Sequence, residues 1–430
     1  MGETTLQSRS ASNGVKRVLI FSLTYHPFVG GAEVAIKEIT DRLDPAEFEF
    51  EMITLRFDRD LPKVEKMGNV RVHRIGFSSP RAKVSDRSMP LLCKVAKVLF
   101  PITAYLKALS IERKKQQGRA LMGYDVIWAM MANQAGFASL LFKLTHPRVK
   151  YFLELQDGRP FAQMKDRQPI LRILWPLYKM VYMKASIIKC ISSFIATEVR
   201  LLKYRGPVRV IPNGVDVSKF SADVSEERLR ELKSRYGKQD GDIFLFTASR
   251  LVLSRGVEDV IHALTLLPQH VKFLIAGSGE DKDKLTVVAQ ELGVAERVIF
   301  AGHVSHEDLP AHFRISNIFI RPSLIEGMGN AFIEAFAAGV PVIGTPVGGI
   351  PDFLFDPEKT MELDKNAPRE PTGLFCNVQD PESIAKAVER YLSDATLRNR
   401  IVENARKLAA EKYDWRFIAR DMKEKIFDQL

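Results

Sequence analysis

Short apolar runs alternate along the chain with longer stretches whose apolar positions recur every three or four residues. Val18–Ser22, Phe50–Leu55, Val70–Ile75, Tyr124–Ala129, Val149–Leu155, Ala185–Ile191 and Val208–Asp216 read as strands. Between the first two, Ala32–Leu43 sets Val34, Ile36, Ile39 and Leu43 at helical spacing. After a charged helical stretch, Ser225–Tyr236, the alternation begins again. Strands are expected at Ile243–Ala248, Val271–Ala276, Val298–Ala301, Ile318–Arg321, Val342–Gly344 and Gly373–Phe375. Helices are expected at Gly256–Leu266, Lys282–Leu292, Ala331–Ala338 and Pro381–Asp394. Such alternation predicts an α/β protein of two doubly wound, Rossmann-like units joined near residues 205–240 and facing across a cleft. In sheets of this kind ligands sit beyond the carboxyl ends of the strands. The expected division is a disordered lead over 1–15, a first domain over 16–208 and a second over 209–412. A final amphipathic helix, 413–430, is expected to pack back toward the first domain.

Composition adds exclusions. With 46% hydrophobic and 27% charged residues in 430, the chain is globular, neither fibrous nor disordered. Its three cysteines, Cys93, Cys190 and Cys376, are too few and too scattered for a disulfide framework or a cysteine-rich zinc module, which favours a reducing compartment. The polar start, MGETTLQSRSASNG, lacks the apolar core of a signal peptide. The longest uncharged runs, Val126–Phe142 and Ala335–Pro351, have 17 residues each and contain glycines, short of a membrane span.

Charge changes the picture more. The net charge of +11 is uneven: residues 1–220 hold 36 Lys and Arg against 19 Asp and Glu, and 221–430 hold 27 against 33. An anionic partner for the first half is therefore expected. Two stretches concentrate the basic groups. Over 88–119, Leu91, Val95, Leu99, Ile102, Leu106 and Leu109 keep helical spacing beside Lys94, Lys97, Lys107, Arg113, Lys114 and Lys115, with Pro101 expected to kink or divide the helix. Over 168–186, Trp175, Tyr178 and Tyr182 accompany Arg172, Lys179 and Lys184. This is the composition of helices that lie in a headgroup layer, and a peripheral place on an anionic membrane surface is expected. The competing reading packs both apolar faces on the first sheet. No zinc finger, basic-region heptad or other nucleic-acid signature is present, so no nucleic-acid partner is expected.

The chemistry concentrates in SLIEGMGNAFIEAF. Glu326 precedes the turn Gly327-Met328-Gly329, and Glu334 falls one turn inside a helix starting near Asn330. Glycines allow the backbone to approach a ligand, and a helix N-terminus offers N–H groups to an anion such as a diphosphate. Glu334 could then hold a ribose diol while Glu326 faces the group beyond the far phosphate. Alone, the two acids would be ordinary helix-end carboxylates. Gly277-Ser278-Gly279 lacks the third glycine of a dinucleotide fingerprint. His303, His306 and His312 lack zinc spacing, and His26 reads as loop packing.

The segment EGMGNAFIE resembles the double-glutamate motif of retaining glycosyltransferases of family 4, which have the GT-B architecture. Further matching segments are HPFVGGAE (26–33), IPNGVD (211–216), ASRLVLSRGVEDVI (248–261), IAGSGE (275–280), VIFAGHVSHEDLP (298–310), GVPVIGTPVGGIPD (339–352) and TGLF (372–375), dense in the second half and thin in the first. The resemblance implies transfer of a hexose-type sugar from a nucleotide-diphosphate sugar with retained configuration, no cofactor and no metal. The first domain would take the acceptor and the second the donor. Glu334 would bind the ribose, Glu326 the transferred sugar, and the backbone of Gly327, Met328, Gly329, Asn330 and Ala331 the phosphates and sugar. Arg250 would grip the diphosphate with Arg255, which stands where the family usually has lysine. Gly30 and Gly31 would approach the diphosphate, and Gly277, Gly302, His303 and Val304 would line the base. Many members carry a histidine near the reacting sugar where this chain has Gln156, followed by Asp157; both are candidate catalytic positions. With the basic first half, the resemblance implies a lipid-linked or membrane-embedded acceptor in cell-envelope glycan or glycolipid synthesis, on the cytoplasmic, inner face of the membrane. The alternatives left open are a GT-B enzyme of the sugar-nucleotide epimerase type and a catalytically silent nucleotide-sugar or membrane-binding module.

Overall fold

The computed structural model describes residues 14–28, 30–79, 89–117, 123–167, 172–359 and 370–430, with the side chains of 114–117 and 165–167 left aside. Most of the expected lead therefore lies outside the described residues. The chain forms two compact units: one of residues up to Glu154 with Leu177–Ile188 and Ile426–Leu430, the other of Leu155–Pro176 and Lys189–Lys425. Membership interleaves along the chain, where the sequence suggests a single change near residue 208.

In chain order the first unit contains β1 (Lys16–Phe21), α1 (Gly31–Thr40), β2 (Phe48–Leu55), β3 (Val64–Met67), β4 (Val70–Ile75), α2 (Leu91–Gln117), β5 (Val126–Met130), α3 (Gln134–Thr145) and β6 (Lys150–Leu155). The strands run in the order β3-β4-β2-β1-β5-β6, parallel apart from the β3–β4 hairpin. Val18 to Phe21 and Val126 to Met130 are buried throughout, as a parallel sheet covered on both faces requires. The chain's last residues return here. Phe427 packs on the rings of Phe48, Phe50, Trp128 and Phe152, with centroids 5.2–6.1 Å apart.

Helix α2 is continuous through Pro101, so the chain is not divided there. Its buried face is Cys93, Ala96, Phe100, Ala104, Ala108 and Ile111, packed on α3 and β2. The stripe read from the sequence is the opposite face. Of that stripe Leu91, Val95, Leu99, Ile102 and Leu106 are exposed, Leu91 by 76%, and Leu109 is half-buried; Val98, outside the stripe, is 70% exposed beside them. The small residues of the inner face let α2 lie close to α3, which leaves the larger aliphatic side chains outside.

The chain continues through α4 (Phe161–Arg167), α5 (Trp175–Met183), β7 (Ile187–Cys190), α6 (Ser193–Leu201), β8 (Val208–Val210), α7 (Val217–Ser221) and α8 (Glu226–Arg235). Next come β9 (Ile243–Ala248), α9 (Val257–Leu264), β10 (Val271–Ala276), α10 (Lys282–Glu291), β11 (Val298–Gly302), α11 (Leu309–Arg314), β12 (Ile318–Arg321) and α12 (Asn330–Ala338). The last elements are β13 (Val342–Gly344), β14 (Leu374–Phe375), α13 (Pro381–Ser393), α14 (Ala395–Lys412) and α15 (Trp415–Lys425). The second unit's sheet has the order β11-β10-β9-β12-β13-β14 and is parallel throughout. Leu245, Phe273, Ile275, Ile320, Ile343 and Tyr391 form its core, where the Tyr391 hydroxyl donates to Val342 O at 2.9 Å.

Candidate active site

The chain leaves β9 to build β10 and β11 on one side, then crosses back to build β12, β13 and β14 on the other. At such a reversal the connections after the two central strands lead away in opposite directions and open a crevice at their carboxyl ends. Arg250 follows β9, Gly277 follows β10, Gly302–Val304 close β11, and Glu326 lies five residues beyond the end of β12.

Glu326 is 7% exposed. Its Oε2 accepts from Arg255 Nη1 at 2.6 Å, from Arg321 Nη2 at 3.1 Å and from Ser323 Oγ at 3.5 Å. Its Oε1 takes the Gly327 N–H at 3.2 Å. A buried carboxylate is tolerated only with such compensation, so one oxygen is tied back and the other keeps acceptor capacity. Burial pushes the Arg321 guanidinium below the ordinary arginine value, and Glu326 opposes that shift. Two glycines make room. A Cβ on Gly158 would lie 2.4 Å from the Glu326 carbonyl, and Gly329, with φ +92°, starts α12 without a side-chain cap. That uncapped end is where an anion would meet the helix N–H groups.

Glu334 lies one turn into α12, with Oε1 3.3 Å from His306 Nε2. Lys219 Nζ donates to His306 Nδ1 at 3.3 Å, so Nε2 carries the ring proton and donates to Glu334. The ring of Phe220 meets His306 edge-on, with centroids 5.4 Å apart.

Gln156 is joined to this site by amides. Asn213 Nδ2 donates to Gln156 Oε1 at 3.1 Å, and Gln156 Nε2 donates back to Asn213 Oδ1 at 3.4 Å. Asn213 Nδ2 also reaches Asn330 Oδ1 at 3.4 Å, and its backbone N–H points to Met328 Sδ at 3.3 Å. Asp157 instead holds Arg159, whose Nε donates to both carboxylate oxygens at 2.9 and 3.0 Å.

Of the residues expected from the sequence, Glu326, Arg255, Gly327, Met328, Asn330 and Gln156 are thus in direct contact or linked through Asn213, with Ala331 and Glu334 following on α12. Gly277 and Gly302 meet through an N–H···O bond of 2.7 Å. His303 and Arg250 are exposed, and Arg250 has no side-chain partner among the described residues. Gly30 belongs to the other unit, where its N–H donates to Glu33 Oε2 at 2.9 Å. Gly31, one residue before the expected helix start at Ala32, is the first residue of α1, and Gly30 is its N-cap. Of the basic residues beside the apolar stretches, Lys94, Arg113 and Arg172 are exposed, and Lys97, Lys107, Lys179 and the indole of Trp175 are half-buried. The side chains of Lys114 and Lys115 lie outside the described ones. Sequence reasoning missed Arg321, Asn213 and His306. The signal for Arg321 was a basic residue closing an otherwise apolar strand.

Comparison with known proteins identifies the family and the fold. Residues 230–408 match the family of glycosyl transferases group 1, and residues 29–219 match glycosyltransferase family 4. An uncharacterized glycosyltransferase of Methanocaldococcus jannaschii is 29% identical over 417 residues, covering 94% of this chain and 96% of that protein. A GDP-mannose-dependent alpha-(1-6)-phosphatidylinositol monomannoside mannosyltransferase of Mycolicibacterium smegmatis is 31% identical over 217 residues, which is 48% of this chain and 52% of that one. Among solved structures, sucrose-phosphate synthase of Thermosynechococcus elongatus superposes with a TM-score of 0.74 at 19% identity, covering 96% of this chain and 98% of that one. The fold is thus GT-B. The chain belongs to the glycosyltransferases of the family-4 type.

Proposed function

We propose that the protein is a retaining hexosyltransferase that draws its sugar from a nucleotide-diphosphate donor and passes it to a lipid-linked or membrane-embedded acceptor in cell-envelope glycan or glycolipid synthesis. The observation that carries the reading is the placing of Glu326 and Glu334 on either side of the uncapped start of α12, at the sheet's reversal point, with Arg255 on Glu326. The diphosphate takes the N–H groups of α12 and the guanidinium groups of Arg250 and Arg255, and Glu334 takes the ribose hydroxyls. Glu326 Oε1 accepts from a sugar hydroxyl, and the Gln156 amide orients another.

As the bond from the anomeric carbon to the phosphate oxygen breaks, the acceptor oxygen bonds to that carbon on the same face. The departing phosphate oxygen takes the acceptor's proton. Negative charge grows on the diphosphate, where the arginines and the helix N-terminus stabilise it. The reading assigns no metal to this role, and excess chelator is expected to leave turnover intact.

A lipid acceptor is supported by the basic first half, by the exposed aliphatic stripe of α2 beside Lys94 and Lys97, and by the lipid in the name of the mycobacterial relative. No helix among the described residues is long and apolar enough to cross a membrane. The same basic half and aliphatic stripe support a peripheral place on the cytoplasmic face of the membrane. Thermal-shift titration with UDP-, GDP- and ADP-sugars tests the donor. Stabilisation by one nucleotide class, with release of its free nucleotide, is expected; no response to any of them would overturn the assignment.

A further inference from the structure

Arg321 is buried against Glu326. It closes β12 after the apolar run Ile318–Ile320 and is 6% exposed. Its Nη2 meets Glu326 Oε2 at 3.1 Å and its Nη1 meets Ala248 O at 3.4 Å. Its central carbon lies 4.9 Å from the ring centroid of Phe332 and 5.9 Å from that of Phe319. A Cβ on Gly329 would stand 2.7 Å from Nη2, so the first turn of α12 is shaped around this guanidinium. Among the described residues Glu326 is the only carboxylate in ion-pair contact with it, and Glu334 acts on it from farther away. An aliphatic side chain would fill a strand end of this kind without the desolvation that an arginine suffers.

Arg255 and Arg321 share the same oxygen of Glu326 but differ in freedom. The Arg255 side chain is 22% exposed and that of Arg321 7%. A diphosphate at the start of α12 competes with Glu326 for Arg255, whereas Arg321 is walled in by two rings and a carbonyl. We propose that Arg321 is a positioning residue: it ties back Oε2 and keeps Oε1 turned to the sugar when Arg255 passes from Glu326 to the donor diphosphate. The proposal rests on the donor-site reading above and adds a residue that this reading does not need.

The test uses the full chain and the member of the UDP-, GDP- and ADP-sugar panel that wild type binds. Arg321→Met keeps the length of the side chain and its packing on Phe332. It is expected to bind the free nucleotide within about threefold of wild type and to lose about 30-fold or more in turnover, while Arg321→Lys recovers most of that loss. Turnover within about threefold of wild type in Arg321→Met would overturn the proposal, as would loss of nucleotide affinity and turnover in step without recovery by lysine. If Arg321→Met gives no cooperative melt, Arg321→Gln replaces it, with the same expected loss in turnover and the same overturning results. Failure of the donor reading is recognised separately, by a wild type that melts cooperatively but binds no sugar nucleotide of the panel, and the proposal falls with it.

Discussion

Glu334 Oε1 lies 3.3 Å from His306 Nε2, so the carboxylate assigned to the ribose already holds one hydrogen bond. A ribose diol must share Glu334 with this imidazole or displace it. Glu334→Ala is therefore expected to weaken nucleotide binding by about 1.5–3 kcal/mol, the worth of a hydrogen bond to a charged group, whereas His306→Ala should change it by less than about threefold. Isothermal calorimetry reads both. Unchanged affinity in Glu334→Ala would refute the ribose assignment, and a large loss in His306→Ala would make the imidazole a ligand contact.

Gly277 and Gly302 both have positive φ, +144° and +73°, but only one is crowded. A Cβ at Gly277 would stand 1.8 Å from Ser249 O, and one at Gly302 would meet nothing within 4 Å. Gly302→Ala should cost about 1–2 kcal/mol from the backbone conformation alone, and Gly277→Ala distinctly more. Equal melting temperatures for the two variants would show that the turn after β10 relaxes freely.

His312 packs beneath the second sheet, accepting from the Tyr236 hydroxyl at Nε2 (3.0 Å) and donating from Nδ1 to Asp308 O (2.8 Å). Burial holds this imidazole below its ordinary value of 6.5, outweighing the opposite effect of Asp308. Below pH 6.5 the unfolded chain therefore takes up a proton that the folded chain refuses. Stability from this residue is present above that pH and falls as the pH drops toward the depressed folded value. His312→Gln should flatten part of the fall in melting temperature between about pH 6.5 and 5.5, leaving the share due to His26, whose imidazole burial also lowers. Parallel wild-type and variant curves would contradict this account.

The exposed stripe of α2 predicts two components of membrane binding. Charge attraction through residues such as Lys94 weakens with salt, while insertion of Leu91, Val98 and Ile102 does not. Leu91→Ser/Val98→Ser/Ile102→Ser is expected to co-sediment with anionic liposomes at low salt and to release at about 0.3 M salt, where wild type stays partly bound. Identical salt curves would leave only the electrostatic component.

Much of this was legible in the sequence because it is local. Buried strands show as apolar runs, and Glu326, the glycine turn and Glu334 lie within nine residues. Edge strand β3 was missed, since Val64–Met67 alternates exposed with half-buried positions and carries no apolar run. The continuity of α2 was left open because Pro101 marks a lost hydrogen bond without showing whether tertiary packing compensates it. Arg321, Asn213 and His306 owe their roles to contacts across the fold. Gln156 and Asn213 are 57 positions apart, and Asn213 and Asn330 are 117 apart. No pattern in one sequence joins them.

The central claim is sugar transfer that depends on Glu326. Its most direct measurement is incubation of wild type and Glu326→Ala with the labelled nucleotide sugar that wild type binds and with anionic lipid extract, followed by organic extraction and anomeric analysis of the labelled product. The account predicts label in the lipid phase with the donor's anomeric configuration retained, and none above background for Glu326→Ala, although that variant still binds the nucleotide. Label transferred at the wild-type rate by Glu326→Ala, or an inverted product, would contradict it.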